Sequence, residues 1–339
     1  MDLFSHLNWY SGDFMNEDGE PIKSIPSGKL ILVSDTLESE GSFLIHYFLQ
    51  SIFKATSTNN SSNSNSSSIT QQQQQQTSNN VVGGGGGACL LGLNQSLYNY
   101  FNVGRKLGYN LTTEHNKGNF TFINGLSTPY RWIIEQRLQQ LEDQGIDEEP
   151  PLDSISQGFN PFPTIHLIDN KNISSSSSSS GKNKNNNNEL KDILFKIYNE
   201  FINDHKKRLK NNKTLFIIDG LNLLESHYST NPSGSNMDII NFLQYCHNYI
   251  KENSTTCSMV ILYHSDCDED SKFFNLLQYE SDLTINITGL KSGYSKDIDG
   301  QLNFIQKDEK NNTFSRVNPI HYQALDNSIR FFSMGSRIQ

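Results

Sequence analysis

The sequence predicts an α/β fold: a three-layer, mostly parallel sheet between helices, extended at its C-terminal end by antiparallel β-hairpins. Three observations predict it. Short, continuously apolar segments alternate with helical segments along most of the chain. Those apolar runs show no polar face, as expected of strands covered on both sides of a sheet. From about residue 283 onward the pattern changes, and apolar residues alternate with polar ones as in half-exposed antiparallel strands.

The elements follow in chain order. KLILVS (29–34) reads as a short buried strand. Residues 41–54 are apolar nearly all round, which predicts a helix buried on most sides. ACLLGL (88–93) is a second strand, leading into a helix over 95–107 that Gly108 stops. NFTFI (119–123) is a third strand, followed by a helix over 129–141 and an acidic, proline-bearing loop over 143–163. Residues 189–209 give the cleanest helical stripe: Leu190, Ile193, Leu194, Ile197, Tyr198, Phe201 and Ile202, with basic residues 205–208 at the end that favours the helix dipole. Strand TLFIID (214–219), a helix over 237–250 and strand SMVILY (258–263) come next. Segments 283–288, 301–306, 320–325 and 328–333 read as strands, the last two joined by an Asp326-Asn327 turn.

Two tracts stand outside this pattern. Residues 56–80 are rich in Asn, Ser and Gln, and residues 172–188 in Ser and Asn. Ordering a residue costs roughly 1–2 kcal/mol of backbone entropy, and neither tract has apolar surface to offset it, so both are expected to be disordered insertions. Roughly 290 residues remain, enough for one well-buried core, and the whole chain is expected to be a single domain. The net charge of −9 and pI of about 5.5 give no basic footprint of the kind nucleic-acid binders carry. The chain shows no long apolar run and no signal peptide, and its four cysteines (Cys89, Cys246, Cys257, Cys267) have no CxxC spacing. A soluble intracellular protein with free thiols is expected.

The first strand and its helix flank the place where a nucleotide-binding fold puts its phosphate loop. That loop needs G-x-x-x-x-G-K-[ST], so that backbone N–H groups, a lysine and a hydroxyl meet the phosphates and magnesium. One alignment puts Asp35 and Glu40 at the glycines, Gly41 at the lysine and Ser42 at the hydroxyl. The other puts Thr36 and Gly41 at the glycines, Ser42 at the lysine and Phe43 at the hydroxyl. Both lack the lysine, and both leave acids where polyphosphate would lie, a cost of several kcal/mol. Asp219 ends an apolar strand as a magnesium-associated aspartate would, but a turn former or helix cap before Gly220 looks the same. The cluster His264-Ser-Asp-Cys-Asp-Glu-Asp270 lacks a second ligand pair and reads as a solvated loop capping a helix over 271–277. His46, inside an apolar helix, reads as a core residue. No catalytic set and no metal or cofactor site emerges. Basic residues cluster weakly at Arg105 and Lys106, at 206–208, and around Lys291, Tyr294 and Lys296. The last of these is best suited to RNA, since it combines lysines with a tyrosine able to stack and a flexible glycine.

Seven segments together resemble one family, subunit 6 of the Elongator complex. They are GSFLIHYFL (41–49), NQSLYNYFNVGRKLG (94–108), GNFTFINGL (118–126), TLFIIDGLNLL (214–224), SMVILYHSD (258–266), ITGLKSGYSKDIDGQLNFI (287–305) and YQALDNSIRFFSMG (322–335). The tail phrase GLKSGYSKDIDGQL is the most specific of them. The resemblance implies a RecA-like fold without a working phosphate loop and a hexameric ring with Elongator subunits 4 and 5, two copies of each. It further implies support of transfer-RNA binding and wobble-uridine modification, while carbon-transfer chemistry resides in another subunit. It supplies no catalytic residues and no cofactor, and it places the protein in the cytoplasm, with the nucleus as a second compartment. A divergent NTPase using Asp219, or an interaction scaffold without RNA contact, are the alternative readings.

Overall fold

The computed structural model describes residues 2–15, 21–57, 86–125, 162, 165–166, 187–208, 213–228, 232–265, 271–293, 295–308 and 310–335. The first central strand is β3 (Leu30–Asp35), which precedes helix α2 (Ser42–Ser57). Upstream lie a short helix α1 (Leu3–His6) and a two-stranded antiparallel sheet of β1 (Tyr10–Met15) and β2 (Pro21–Lys23). Then come β4 (Gly86–Gly92), α3 (Leu97–Lys106), α4 (Leu111–Asn116), β5 (Phe120–Asn124) and β6 (Ile165–His166). The second half holds α5 (Asn187–Lys207), β7 (Lys213–Ile218), α6 (Asn222–Tyr228), α7 (Pro232–Glu252), β8 (Cys257–His264) and α8 (Ser271–Glu280). Strands β9 (Leu283–Thr288), β10 (Gly300–Asp308), β11 (Thr313–Leu325) and β12 (Ser328–Ser333) complete the described chain.

Ten strands form one sheet in the order β12-β11-β10-β9-β3-β8-β7-β4-β5-β6. From β9 to β6 every pairing is parallel, and from β9 to β12 every pairing is antiparallel. This is the mostly parallel sheet with antiparallel C-terminal strands that the sequence predicts. The chain leaves β3 and returns at β4, skipping two places that β7 and β8 fill later. Such a reversal opens a crevice beyond the carboxyl ends of the strands, where open α/β sheets bind ligands.

The continuous apolar runs are explained by burial on both faces. Ile31 and Val33 point into one cluster with Phe48, Leu90 and Leu262, while Leu30 and Leu32 point into the other with Ile197, Phe216 and Leu243. The antiparallel strands are covered on one face only, so β10 alternates buried and half-buried residues along most of its length. Its cover is aromatic: Phe43 stacks on Tyr322 at 4.4 Å, and Tyr47 meets Phe331 edge-on at 5.1 Å. Helix α1 adds Phe4, 5.3 Å from Tyr47, and Asp2 caps it by accepting from the Ser5 N–H.

Several elements differ from the sequence expectation. Helix α4 forms where none was expected, because Asn110 accepts from the Thr112 and Thr113 N–H groups and caps it. Strand β11 begins seven residues before the expected 320–325, because main-chain pairing with β10 holds residues 313–317 whose side chains are mostly exposed. Helix α7 starts at Pro232 rather than 237. Helix α2 runs to Ser57 and α5 begins at Asn187, so helices take the outermost residues of both polar tracts. The remainder of those tracts, the expected helix over 129–141 and nearly all of the 143–163 loop lie outside the described residues. Phe162 is described and stacks on His115 at 4.4 Å.

His46 is a core residue, 4% exposed, with Nδ1 2.9 Å from the Tyr109 hydroxyl. Burial drives its pKa down to about 4, against an opposing hydrogen bond from Gln95. A depressed histidine stabilises the fold above its unfolded pKa and loses that contribution as pH falls toward the folded value. Chemical denaturation between about pH 6.5 and 4 is therefore expected to show a progressive loss of stability, of order 3 kcal/mol for this group. His46→Gln is expected to flatten that window.

Candidate functional site

The carboxyl ends of β3, β8, β7 and β4 meet at the crevice, and two buried aspartates organise it. Asp35, the last residue of β3, is 1% exposed. Its Oδ2 accepts from the Gly41 N–H at 2.5 Å, and its Oδ1 lies 2.5 Å from Nδ1 of His264, the last residue of β8. The carboxylate therefore sits at the N-terminal end of α2, the position a phosphate takes in a working loop. Gly41 is required by this approach, since a Cβ there would lie 2.8 Å from Ile287 Cδ1 and 3.0 Å from Asp35 Oδ2. Glu40 is exposed and accepts from the Ser42 hydroxyl at 2.6 Å. Asp35, Glu40, Gly41 and Ser42, the four residues singled out in this turn, are thus bonded to one another or to His264.

His264 is held from several sides. Asn222 accepts from its N–H and donates to its carbonyl, both at 2.7 Å, while Asn94 Nδ2 lies 3.3 Å from its Nε2. The sequence reading of His264 as part of a solvated loop is corrected here: it ends a strand and faces a buried acid. Residues 266–270 of that cluster, Cys267 among them, lie outside the described residues. Cys89, Cys246 and Cys257 are buried free thiols.

Asp219 follows β7 and is also 1% exposed. Oδ1 accepts from the N–H groups of Leu93 (2.5 Å) and Asn94 (2.9 Å). Oδ2 accepts from the Gln95 N–H (3.1 Å) and the Tyr100 hydroxyl (2.9 Å). Burial pushes its carboxyl above the usual range, against the pull of those four bonds. Both oxygens are engaged in shaping the turn between β4 and α3. That is the geometry of a turn-forming acid, and no sequence signal links Asp219 to a turn more than a hundred residues upstream. Among the described residues no group of three or more His, Cys, Asp or Glu side chains could hold a metal ion.

The lysine turn follows β9, whose carboxyl end lies beside that of β3. The Ser39 hydroxyl donates to the Ile287 carbonyl, and Glu38 reaches toward Gly289. Lys291 and Lys296 are exposed there, Gly293 takes φ +85°, and Tyr294 lies outside the described residues. The structure thus brings the lysine turn next to the acidic β3–α2 turn. Arg208, grouped with the surface bases in the sequence, is instead buried and paired with Asp204 at 2.7 Å. A groove of about 430 Å³ between α5 and α7, lined by Leu194, Phe195, Tyr198 and Tyr245, lies on a helical face away from these strand ends.

The chain is 90% identical to Elongator complex protein 6 of Dictyostelium discoideum, over the full length of both. It belongs to the Elongator complex protein 6 family. The model of the family described as Elongation complex protein 6 matches residues 163–326, which hold β7, Asp219 and the strands β9 to β11. The Rattus norvegicus member, Elongator complex protein 6, is 23% identical over 91% of each chain. A solved structure from Pyrococcus horikoshii, an uncharacterized protein in complex with an unknown peptide, aligns over 94% of this chain and 96% of that one. At 9% identity and a TM-score of 0.45 that likeness is too distant to argue from. Among the described residues of this Elongator complex protein 6 family member, no helix is long and apolar enough to cross a membrane.

Proposed function

We propose that this chain is a non-catalytic subunit of the Elongator complex, an accessory part of a transfer-RNA-modifying enzyme. In this reading it joins subunits 4 and 5 in a hetero-hexameric RecA-like ring, two copies of each, that binds transfer RNA and supports wobble-uridine modification. It works in the cytoplasm, with the nucleus as a second compartment. The observation that carries the reading is the carboxylate of Asp35 at the N-terminal end of α2. A nucleotide phosphate there would have to displace a buried acid and its histidine partner. Family membership supports the complex, and the heterologous packing sides of a RecA-like sheet support the ring. A divergent NTPase built on Asp219 is disfavoured because both of that residue's oxygens already accept hydrogen bonds.

Affinity purification of the tagged chain tests the proposal. Two RecA-like partners are expected to co-purify, and the isolated chain is expected to show no magnesium-dependent ATP turnover. In the reconstituted ring, Lys291→Glu with Lys296→Glu is expected to weaken transfer-RNA binding and to lower the salt slope by about 1 to 2. Unchanged affinity and slope would favour a scaffold without RNA contact at this turn. Absence of the two partners would remove the ring reading.

A further inference from the structure

The groove between α5 and α7 has no part in the strand-end site. It measures about 430 Å³ and is lined by eight residues. Phe195 and Tyr245 stand on it at 66% exposure each, with Met237 beside them at 51%. A single exposed apolar residue is ordinary in a folded protein. Here three share one face with a run of α7, Ile239 to Ile250, that has no lysine, arginine or acid. The exposed residues of that run are Asn241, Gln244, Tyr245 and Asn248. Loss of charge together with aromatic residues and methionine marks the core of a protein interface rather than a solvated helix.

The shape of the groove sets what fits it. Helices α5 and α7 pack together, and each returns between parallel strands, so they run side by side in the same direction. The lining recurs at i, i+3, i+4 and i+7 on both, from Lys191 to Tyr198 and from Asp238 to Tyr245. Two matched stripes of two turns, each about 10 Å long, form a seat for a third helix. The eight lining residues fall well short of the roughly 20–30 a side that a standard interface engages, which argues against a second folded copy. Charge gives the direction. The charged lining residues, Lys191 and Asp238, lie 3.7 Å apart at the end of the groove where both helix dipoles are positive. The C-terminal end of a helix, with a base in its last turn near Asp238, complements that end. Asp192, Lys196 and Glu200 lie off the stripe on α5, so the rest of the lining is uncharged.

We propose that this groove seats an amphipathic helix of another protein, running antiparallel to α5 and α7. Its occupant carries large apolar residues at i, i+3, i+4 and i+7 and a lysine or arginine in its last turn. The proposal stands independently of the ring-subunit reading.

Photocrosslinking in cells tests it, with p-benzoylphenylalanine placed at Asn241 or at Tyr245 of the tagged full-length chain. Both positions are expected to label one segment of another protein, the Asn241 label falling about four residues C-terminal to the Tyr245 label. Phe195→Asp is expected to cut the Asn241 label by roughly tenfold, as loss of an anchor does. Thermal unfolding of that variant is expected to match wild type, since the side chain is exposed. Phe314→Asp, at a 45% exposed apolar residue on β11, serves as a control and is expected to leave the label unchanged. Labels on this chain or on a second copy of it, labels scattered over unrelated segments, or labels in the reverse order would overturn the proposal. So would the absence of any label, or equal loss in the Phe314 control.

Discussion

Asp219→Ala is expected to lower folding stability by about 3–5 kcal/mol, measured by chemical denaturation of the isolated chain. The carboxylate takes hydrogen bonds from three consecutive backbone N–H groups and from Tyr100, itself fully buried. Truncation leaves these donors without their acceptor, at about 1–3 kcal/mol for each buried group that finds no substitute. Relaxation of the turn and access of water at Asn94 and Gln95 keep the sum below full additivity. Tyr100→Phe removes one of the four bonds and is expected to cost only about 1 kcal/mol. The functional content lies in the contrast. A magnesium-binding aspartate would show the opposite pattern, an intact fold and a lost activity. An Asp219→Ala chain as stable as wild type would refute its role in holding the β4–α3 turn.

The second large effect is expected at Arg208. Its guanidinium pairs with Asp204 and donates to the carbonyls of Gly118 and Ala88, which stitches α5 to the β4–β5 side of the sheet. The side chain is 4% exposed, and Asp204 also accepts from the Thr121 hydroxyl. Arg208→Ala is expected to cost about 3–5 kcal/mol, because it leaves a buried carboxylate uncompensated. Arg208→Lys is expected to recover only part, since an ammonium cannot reproduce the planar fork that meets three acceptors. Lys206→Ala and Lys207→Ala, at exposed neighbouring positions, are expected to stay within about 0.5 kcal/mol of wild type. Equal effects at all three positions would show that Arg208 acts as surface charge.

These two residues mark where linear reading stops. Asp219 was legible as a strand-end acid, read either as a magnesium-associated residue or as a former of its own turn before Gly220. The turn it holds is that between β4 and α3, and finding it required the partners, Leu93 to Gln95 and Tyr100, which stand more than a hundred residues away. Arg208 looked like the end of a basic run at a helix terminus. Its burial depends on the missing side chain of Gly87 and on the Gly118 carbonyl that accepts from it, which no pattern around residue 208 records. The same holds for Asp35 and His264. Asp35 was read as a position of the phosphate-loop turn and His264 as the start of a solvated loop. Their meeting follows from the parallel register that sets Asp35 opposite His264 in neighbouring strands.

By itself the sequence determined the class of fold and showed that no G-x-x-x-x-G-K-[ST] motif stands between the first strand and its helix. Both are local properties: unbroken apolar runs record burial on two faces, and a motif is read from consecutive residues. It also carried the family, through the tail phrase around residues 289–302. Tertiary structure alone decided strand order, and with it the crevice where β3, β8, β7 and β4 end together. It also decided that the Asp35 carboxylate meets the Gly41 N–H at the start of α2. Contacts between residues hundreds of positions apart depend on sheet register and helix packing, and those are settled by the whole core rather than by any one segment.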